Sequence, residues 1–503
     1  MQRRISRELK ALSVLALSLA LNGCISFGGI GPKDTMLAAN TLVTDEAIEN
    51  AAQDANWPKA QWWHAYGDPQ LDAWISLAVQ GSPTMAMAAA RVRQARAMAG
   101  IAESAQSLQI NGDSTLKRHN WPSDQFYGPG ELDNSTTWDN NAALGFSFSL
   151  DLWGRDSNTT EQAVDMAHMS VAEARQAQLE LQNNVIRAYI QLSLHFAQLD
   201  IIESTLHQQE QILDLAQKRL DGGIGTHFEV SQAQAPLPEI HRQIDAREEE
   251  IALTRNQLAA LAGKGPGEGA RLKRPVLALN TALKLPSRLP AELLGQRPDV
   301  VASRWEVAAQ ARGIDVAHAD FYPNVDLVAS LGFMATGGGA LEFLSAKKLN
   351  YNVGPAISLP IFDGGRLRSQ LGVAASGYDM ATAKYNQTLV TALKGISDQL
   401  IKRESMDKQQ VFAAESVAAA QKTYDIAMLA YQRGLTDYLN VLNAQTLLFR
   451  QQQVQQQVQA ARLVAHAELV TALGGGLGAG SDVPKQDRYV PDKPPAVMAP
   501  FVH

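Results

Sequence analysis

Moved along itself by 211 residues, the chain falls back into register. Gly223-Ile224-Gly225-Thr226-His227-Phe228-Glu229-Val230-Ser231-Gln232-Ala233-Gln234 lies on Gly434-Leu435-Thr436-Asp437-Tyr438-Leu439-Asn440-Val441-Leu442-Asn443-Ala444-Gln445 without a gap. The same shift sets Gly154-Arg155 on Gly365-Arg366 and Gly263 on Gly474. Just upstream, a shift of 209 lays Ser149-Leu150-Asp151-Leu152-Trp153 on Ser358-Leu359-Pro360-Ile361-Phe362, with Asp363-Gly364 as a two-residue insertion. Frequent Ala and Gln explain some matches, but not one register held over about 110 residues. The chain holds two copies of one unit, and its fold must be built twice.

Each unit mixes two periodicities. From Leu144 to Leu152 the even positions are Leu144, Phe146, Phe148, Leu150 and Leu152, and the odd ones Gly145, Ser147, Ser149 and Asp151. That is period two, apolar on one face. Val325, Leu327, Ala329, Leu331 and Phe333 repeat it, as do Val353, Ile357, Leu359 and Ile361, and a weaker version passes through Leu108, Ile110 and Leu116. These read as four strands of about 10 residues, a length suited to a membrane barrel. A half-buried sheet in a soluble domain shows the same alternation.

The rest reads as helix. From about Arg155 to Leu220, and again from about Arg366 to Arg433, there is no Pro, little Gly and much Ala, Gln and Leu. Such lengths imply coiled coil or repeat, and at 1.5 Å per residue each reaches roughly 100 Å. Return helices follow both. Ile240, Ile244, Ile251, Leu258 and Leu261 keep a coiled-coil spacing, with Arg247 and Thr254 in the same register. In the Gln-rich stretch 451–458, Val454 and Val458 begin a helical face continued by Ala461 and Ala465. Pro236 and Pro238 should bend or interrupt the first return helix. Asp68 is placed to cap a helix with Pro69 at its first position, Ser82-Pro83 repeats the device, and Arg297-Pro298 restarts another helix.

Cys occurs once, which excludes a disulfide framework or a multi-Cys metal site within the chain. Its place is informative. Arg3, Arg4, Arg7 and Lys10 precede an apolar run from Ala11 to Leu21 and then Asn22-Gly23-Cys24, the anatomy of a secretory signal peptide. The run is too short to span a bilayer. Leu21-Asn22-Gly23-Cys24 also resembles the bacterial lipobox, in which Cys becomes the lipid-modified first residue of the mature protein; an ordinary export signal with an incidental Cys is the alternative. Ile25 follows in place of the Asp that commonly retains Gram-negative lipoproteins at the inner membrane, which points to outer-membrane sorting. A covalent lipid on Cys24 would anchor the chain without a hydrophobic helix, and no cofactor is expected. Lys and Arg total 44 against 51 Asp and Glu, a net charge of −7 without a basic stripe, so nucleic acid is not the expected partner.

No later segment approaches 18 consecutive apolar residues, so a helical span is excluded and only a β-barrel could carry this chain through a bilayer. Four strands cannot close one, because membrane barrels need at least about eight. The chain must share its barrel with copies of itself. Three copies would give twelve strands above an all-helical cylinder, but the number three does not follow from the sequence.

At this point the residues become familiar. Trp62-Trp63 with Asp68-Pro69-Gln70-Leu71-Asp72, then Leu150-Asp151-Leu152-Trp153-Gly154-Arg155, the Arg297-Pro298-Asp299 turn, and Leu359-Pro360-Ile361-Phe362-Asp363-Gly364-Gly365-Arg366 together resemble the TolC-like outer-membrane efflux channels, closest to the NodT-type efflux lipoproteins. The resemblance runs from about Trp62 to Gly474. It implies a mainly α chain with a transmembrane β-barrel portion, four strands per chain in a shared 12-stranded barrel, and a periplasmic α-helical barrel, all in a homotrimer. The implied partners are a periplasmic adaptor, an inner-membrane pump and outer-membrane lipid. The chain then divides into a signal peptide (1–23), a lipidated linker (24–61), a first repeat (62–263), an inter-repeat equatorial segment (264–290), a second repeat (291–474) and an equatorial or disordered tail (475–503).

The resemblance also places function at the periplasmic tips of the helix hairpins. The family commonly sets inward-facing Asp residues just after the second turn; the matching positions here are Asn440 and Asn443, and amides imply weaker cation selectivity. Asp437 and Glu229 restore some negative field there, or serve only as solvated helix-end charges. Gly223, Ile224, Gly225 and Thr226, with Gly434, Leu435 and Thr436, resemble the surfaces that meet the adaptor. Between the strands, Trp121, Phe126 and Tyr127 form either an external lid or an ordinary loop.

Other classes fit less well. The ten His are scattered, and no His-Glu-x-x-His pair, Gly-x-Ser-x-Gly elbow or Cys nucleophile away from the lipid site is present. Gly337-Gly338-Gly339 lacks the strand-to-helix context of a phosphate cradle. Met85, Met87, Met98, Met166 and Met169 could hint at copper export, but Met at helical spacing is more often packing. A periplasmic coiled-coil lipoprotein adaptor would share the signal, the lipid site and long hairpins, yet two hairpins and four amphipathic strands argue against it.

Overall fold

The computed structural model describes residues 27–38, 61–123, 132–278 and 297–476, with a few positions between 41 and 58. The signal peptide, Cys24, Phe126, Tyr127, residues 279–296 and the tail beyond 476 lie outside the described residues. The first unit comprises α1 (Pro69–Gly81), α2 (Pro83–Ser104), β1 (Gln109–Trp121), β2 (Ser135–Ser149), α3 (Arg155–Asp221), α4 (His227–Gln234) and α5 (Leu237–Leu261). The second comprises α6 (Pro298–Ala319), β3 (Asn324–Thr336), β4 (Leu349–Ser358), α7 (Arg366–Gln432) and α8 (Tyr438–Ala472). The long helices α3 and α7 are each 67 residues.

The strands form one antiparallel sheet in the order β1-β2-β3-β4, with β1 and β4 as free edges. Its register keeps the two faces apart. One row runs Ile110, Phe146, Ala329, Val353 and the next Gly112, Leu144, Leu331, Tyr351, while the opposite face carries Asp113, Ala143, Gly332 and Asn350. Ile110, Leu144, Leu331 and Val353 are exposed apolar side chains, as expected of a surface solvated by lipid. The expected alternation overruns the strands: Leu150 and Leu152 lie past the end of β2, and Leu359 and Ile361 past the end of β4. No described helix is long and apolar enough to cross a membrane.

Each strand pair feeds a long helix through the same chemistry. Gly154 (φ +76°) and Gly365 (φ +91°) sit at the N-caps of α3 and α7 in the left-handed region that suits glycine. Neither offers a capping side chain. Asp151 supplies one to α3, its two oxygens accepting from the N–H groups of Asp156 (3.0 Å) and Ser157 (2.8 Å). Asp363 supplies one to α7, accepting from Gly365 (3.0 Å) and Leu367 (2.8 Å). Trp153 stacks on Tyr322 at 4.7 Å and donates to the Pro323 carbonyl at 2.7 Å, tying the β2-to-α3 junction to the α6-to-β3 junction of the other unit.

Below the sheet the helices stand side by side as a wall one helix thick. Near the strands the order is α2-α3-α6-α7, and farther down α5-α3-α8-α7. Position decides burial: α2, at the edge, buries only Ala88 of its described side chains, whereas α6, flanked by α3 and α7, buries eleven. Asp68 caps α1 through the Gln70 N–H as expected, but the Ser82 side chain makes no cap bond, and Pro83 alone starts α2. Pro236 interrupts the first return helix as expected, dividing it into α4 and α5, while α8 is continuous. One expected face is corrected. Val454 and Ala461 are exposed, because in a single-layer wall a helix buries its flanks and leaves its remaining face open.

A belt covers the middle of the wall. Trp62, Trp63, Tyr66, Leu71 and Trp74 pack against Val185, Ile186 and Tyr189 of α3, Leu258 of α5, and Leu463 and Val470 of α8. Asp68 anchors it, accepting from the Tyr189 hydroxyl (2.8 Å) and the Val276 N–H (2.9 Å), which holds residues 272–278 in place. An N-terminal strap runs down α7: the Lys33 and Asp34 N–H groups donate to Asp379, and that of Leu37 to Asn386. Its start, Phe27, packs on His318 and Phe321 just below the sheet.

Candidate functional site: the hairpin tips

The two helix turns are built alike, position for position. At the first, Gly223 takes φ +73° and the Ile224 N–H donates to the Arg219 carbonyl at 3.0 Å. At the second, Gly434 takes φ +70° and the Leu435 N–H donates to the Ala430 carbonyl at 2.9 Å. These are glycine-closed helix C-termini. Gly225 is required for space, since a Cβ there would stand 2.8 Å from the Leu220 nitrogen.

The helices that leave the turns start alike too. Thr226 caps α4, accepting from the Glu229 N–H at 3.2 Å, while Glu229 reaches back to the Thr226 N–H, a capping box. Asp437 caps α8, accepting from the Asn440 N–H at 3.2 Å, and the Asn440 amide also donates to Asp437 (2.9 Å) and Thr436 (2.8 Å). The 211-residue shift pairs Thr226 with Asp437 and Glu229 with Asn440. Of the two readings left open for Glu229 and Asp437, both residues do serve as helix-end groups, and both remain exposed with their charge at the tip. Asn443 is exposed one turn above Asn440.

Four apolar side chains at the tips face solvent: Ile224 (72% exposed), Phe228 (69%), Leu435 (75%) and Leu439 (51%). Phe228 and Leu439 are absent from the sequence-based tip set, although the same shift pairs them. Behind them the hairpins are joined by buried polar contacts that the sequence reading also missed. The Arg219 guanidinium lies over the Tyr431 ring at 5.2 Å, and Gln209 donates to the Ala233 carbonyl (2.6 Å) and the Tyr438 hydroxyl (2.9 Å). Gln209 thus links α3, α4 and α8 at one point. Among the described residues no group of three or more His, Cys, Asp or Glu is placed to hold a metal ion.

A lipid-facing sheet continuous with helices of roughly 100 Å, ending in paired tips, is a duct wall. The family model for outer membrane efflux proteins matches residues 74–264 and 289–475. The chain belongs to the outer membrane efflux protein family. It is 45% identical over 488 residues to the fusaric acid resistance protein FusA of Burkholderia cepacia, covering 96% of this chain and 91% of the relative. It is 28% identical over 461 residues to the cation efflux system protein CusC of Escherichia coli K12, covering 92% and 98%. Among solved structures, the outer membrane protein VceC of Vibrio cholerae superposes with a TM-score of 0.77 at 31% identity, over 84% of this chain and all of that one. The outer-membrane channel OprN gives 0.78 at 26% identity, over 89% and 99%. As an outer membrane efflux protein, the chain places its sheet in the outer membrane and its long helices in the periplasm, and serves as the exit channel of a tripartite efflux system.

Proposed function

We propose that three copies of this chain assemble head to tail, β1 of one against β4 of the next, into a 12-stranded barrel above a periplasmic helical tunnel. The free edges of β1 and β4 carry this reading: in lipid each unpaired backbone group costs several kcal/mol, and pairing edges with edges removes them all. Exposed apolar side chains on the edge helices, Met98 and Ile101 of α2 and Val373 and Met380 of α7, support the same closure. The partners are a periplasmic adaptor and an inner-membrane pump, with outer-membrane lipid around the barrel. The adaptor meets Gly223, Ile224, Gly225 and Thr226 at one tip and Gly434, Leu435 and Thr436 at the other. Asn440, Asn443, Asp437 and Glu229 surround the aperture.

Cys24 carries the lipid. Only Ile25 and Ser26 stand between it and Phe27 in the sequence, and Phe27 packs just below the sheet, beside the inner leaflet in this reading. Conduction is passive, and no residue takes a catalytic step. FusA is named for resistance to an acid, and small organic acids are the passengers proposed for this chain. The test is native mass and planar-bilayer conductance of the parent and of Cys24→Ser in mild detergent. A mass near three protomers with discrete openings in both is expected; a water-soluble monomer without conductance would sink the reading.

A further inference from the structure

The structure distinguishes the inside of the duct from the outside. On α8, Leu463, Ala467 and Val470 pack beneath the belt, with the Tyr66 hydroxyl donating to the Leu463 carbonyl at 2.8 Å. The belt is an extra layer on one side of the wall. Trp-rich belts from several copies would fill the passage if they stood on the concave side, so the belt marks the outside. At about 100° per residue, Asn440, Asn443, Leu447, Arg450, Val454 and Ala461 centre on the opposite side of α8, and all are exposed. The neighbouring helix agrees: Tyr189 of α3 meets the belt, while Gln191, Leu194 and Gln198 on its far side line a cavity of about 450 Å³ shared with Gln457 of α8.

That inward stripe of α8 carries one charge. We infer that Arg450 sets the ionic preference of the duct, placing one guanidinium per copy about 10 Å above Asn443 and favouring anionic passengers such as small carboxylates. The inference rests on the closed tunnel proposed above. Arg450 has no hydrogen-bond or ion-pair partner among the described residues. Nearby charges are balanced. Arg247 in the cavity wall is paired with Glu250, which also accepts from Nδ1 of His195 at 2.9 Å. The antiparallel pairing of α7 with α8, fixed by Arg462 on Asp407 and Tyr431 beside Tyr438, brings Glu415 and Lys422 of α7 to about the height of Arg450, where they offset one another. A ring of like charge in a narrow, low-dielectric passage concentrates counter-ions and excludes co-ions.

The test is the reversal potential of the purified channel in planar bilayers across a KCl gradient between about 0.01 and 0.1 M, where the screening length falls from roughly 30 to 10 Å. The parent should pass chloride in preference to potassium. Arg450→Lys should keep that preference, Arg450→Gln should abolish it, and Arg450→Glu should invert it. Because the side chain is exposed and unpaired, all three variants should retain the parental native mass. A cation-preferring parent, or one reversal potential shared by the parent, Arg450→Gln and Arg450→Glu, overturns the role of Arg450 while leaving the duct intact. Absence of any channel in the parent overturns the duct and this inference with it.

Discussion

Under the 211-residue shift Asp363 stands one position past the counterpart of Asp151, yet both carboxylates close the first turn of a 67-residue helix. Asp363 belongs to the two-residue insertion, and it still meets one N–H group in common, that of Leu367 standing where Asp156 does. Replacing either with Ala should cost about 1 kcal/mol, the usual loss for a cap, read as a lower midpoint of thermal unfolding; the double variant should lose the sum, since the sites are independent. His466 offers a second test. Burial beneath Trp62 and Tyr66, helped by Arg403 and Arg462, holds its pKa down to about 4. The folded chain therefore resists a proton that the unfolded chain accepts below about 6.5. Its contribution to stability is complete above that pH and is lost as pH falls toward 4. His466→Leu should flatten the loss of thermal stability between pH 6.5 and 4; an unchanged slope would refute the assignment.

Among elements, the break at Pro236 is the clearest difference between the repeats. Pro236→Ala combined with Pro238→Ala should let α4 and α5 join, slowing amide exchange across residues 234–240. Unchanged exchange there would mean that the packing of α4, and not the two prolines, maintains the break. The strands and long helices were legible in sequence because period two and the absence of Pro are local signals. The hairpin turns were legible because Gly223 and Gly434 occupy backbone conformations that glycine suits. The inner face of α8 was not, since Val454 and Ala461 look like seam residues until neighbouring helices are seen to occupy the flanks instead. Gln209, Arg219 and Tyr431 escaped notice for a related reason: a helix face of Gln and Arg announces solvent, and only tertiary contact turns it into a buried joint.

For the whole molecule, the belt braces the middle of the wall, where the two hairpins meet. Asp68 gathers the Tyr189 hydroxyl and the Val276 and Gln70 N–H groups on one carboxylate. Asp68→Ala strands these donors, at about 1–3 kcal/mol for each that stays buried, and should free residues 270–278. Limited trypsin digestion would then cut near Lys273 and Arg274 well before the long helices. Equal cleavage rates in parent and variant would show that the belt is held elsewhere. The interrupted helix also has a meaning at this scale. In the three-copy assembly proposed above, two repeats in each copy would make six hairpins, nominally interchangeable, but only those of the first repeat would carry the break at Ala235 and Pro236. Such a rim would alternate three continuous return helices with three interrupted ones, so a load applied evenly around it would meet threefold rather than sixfold symmetry.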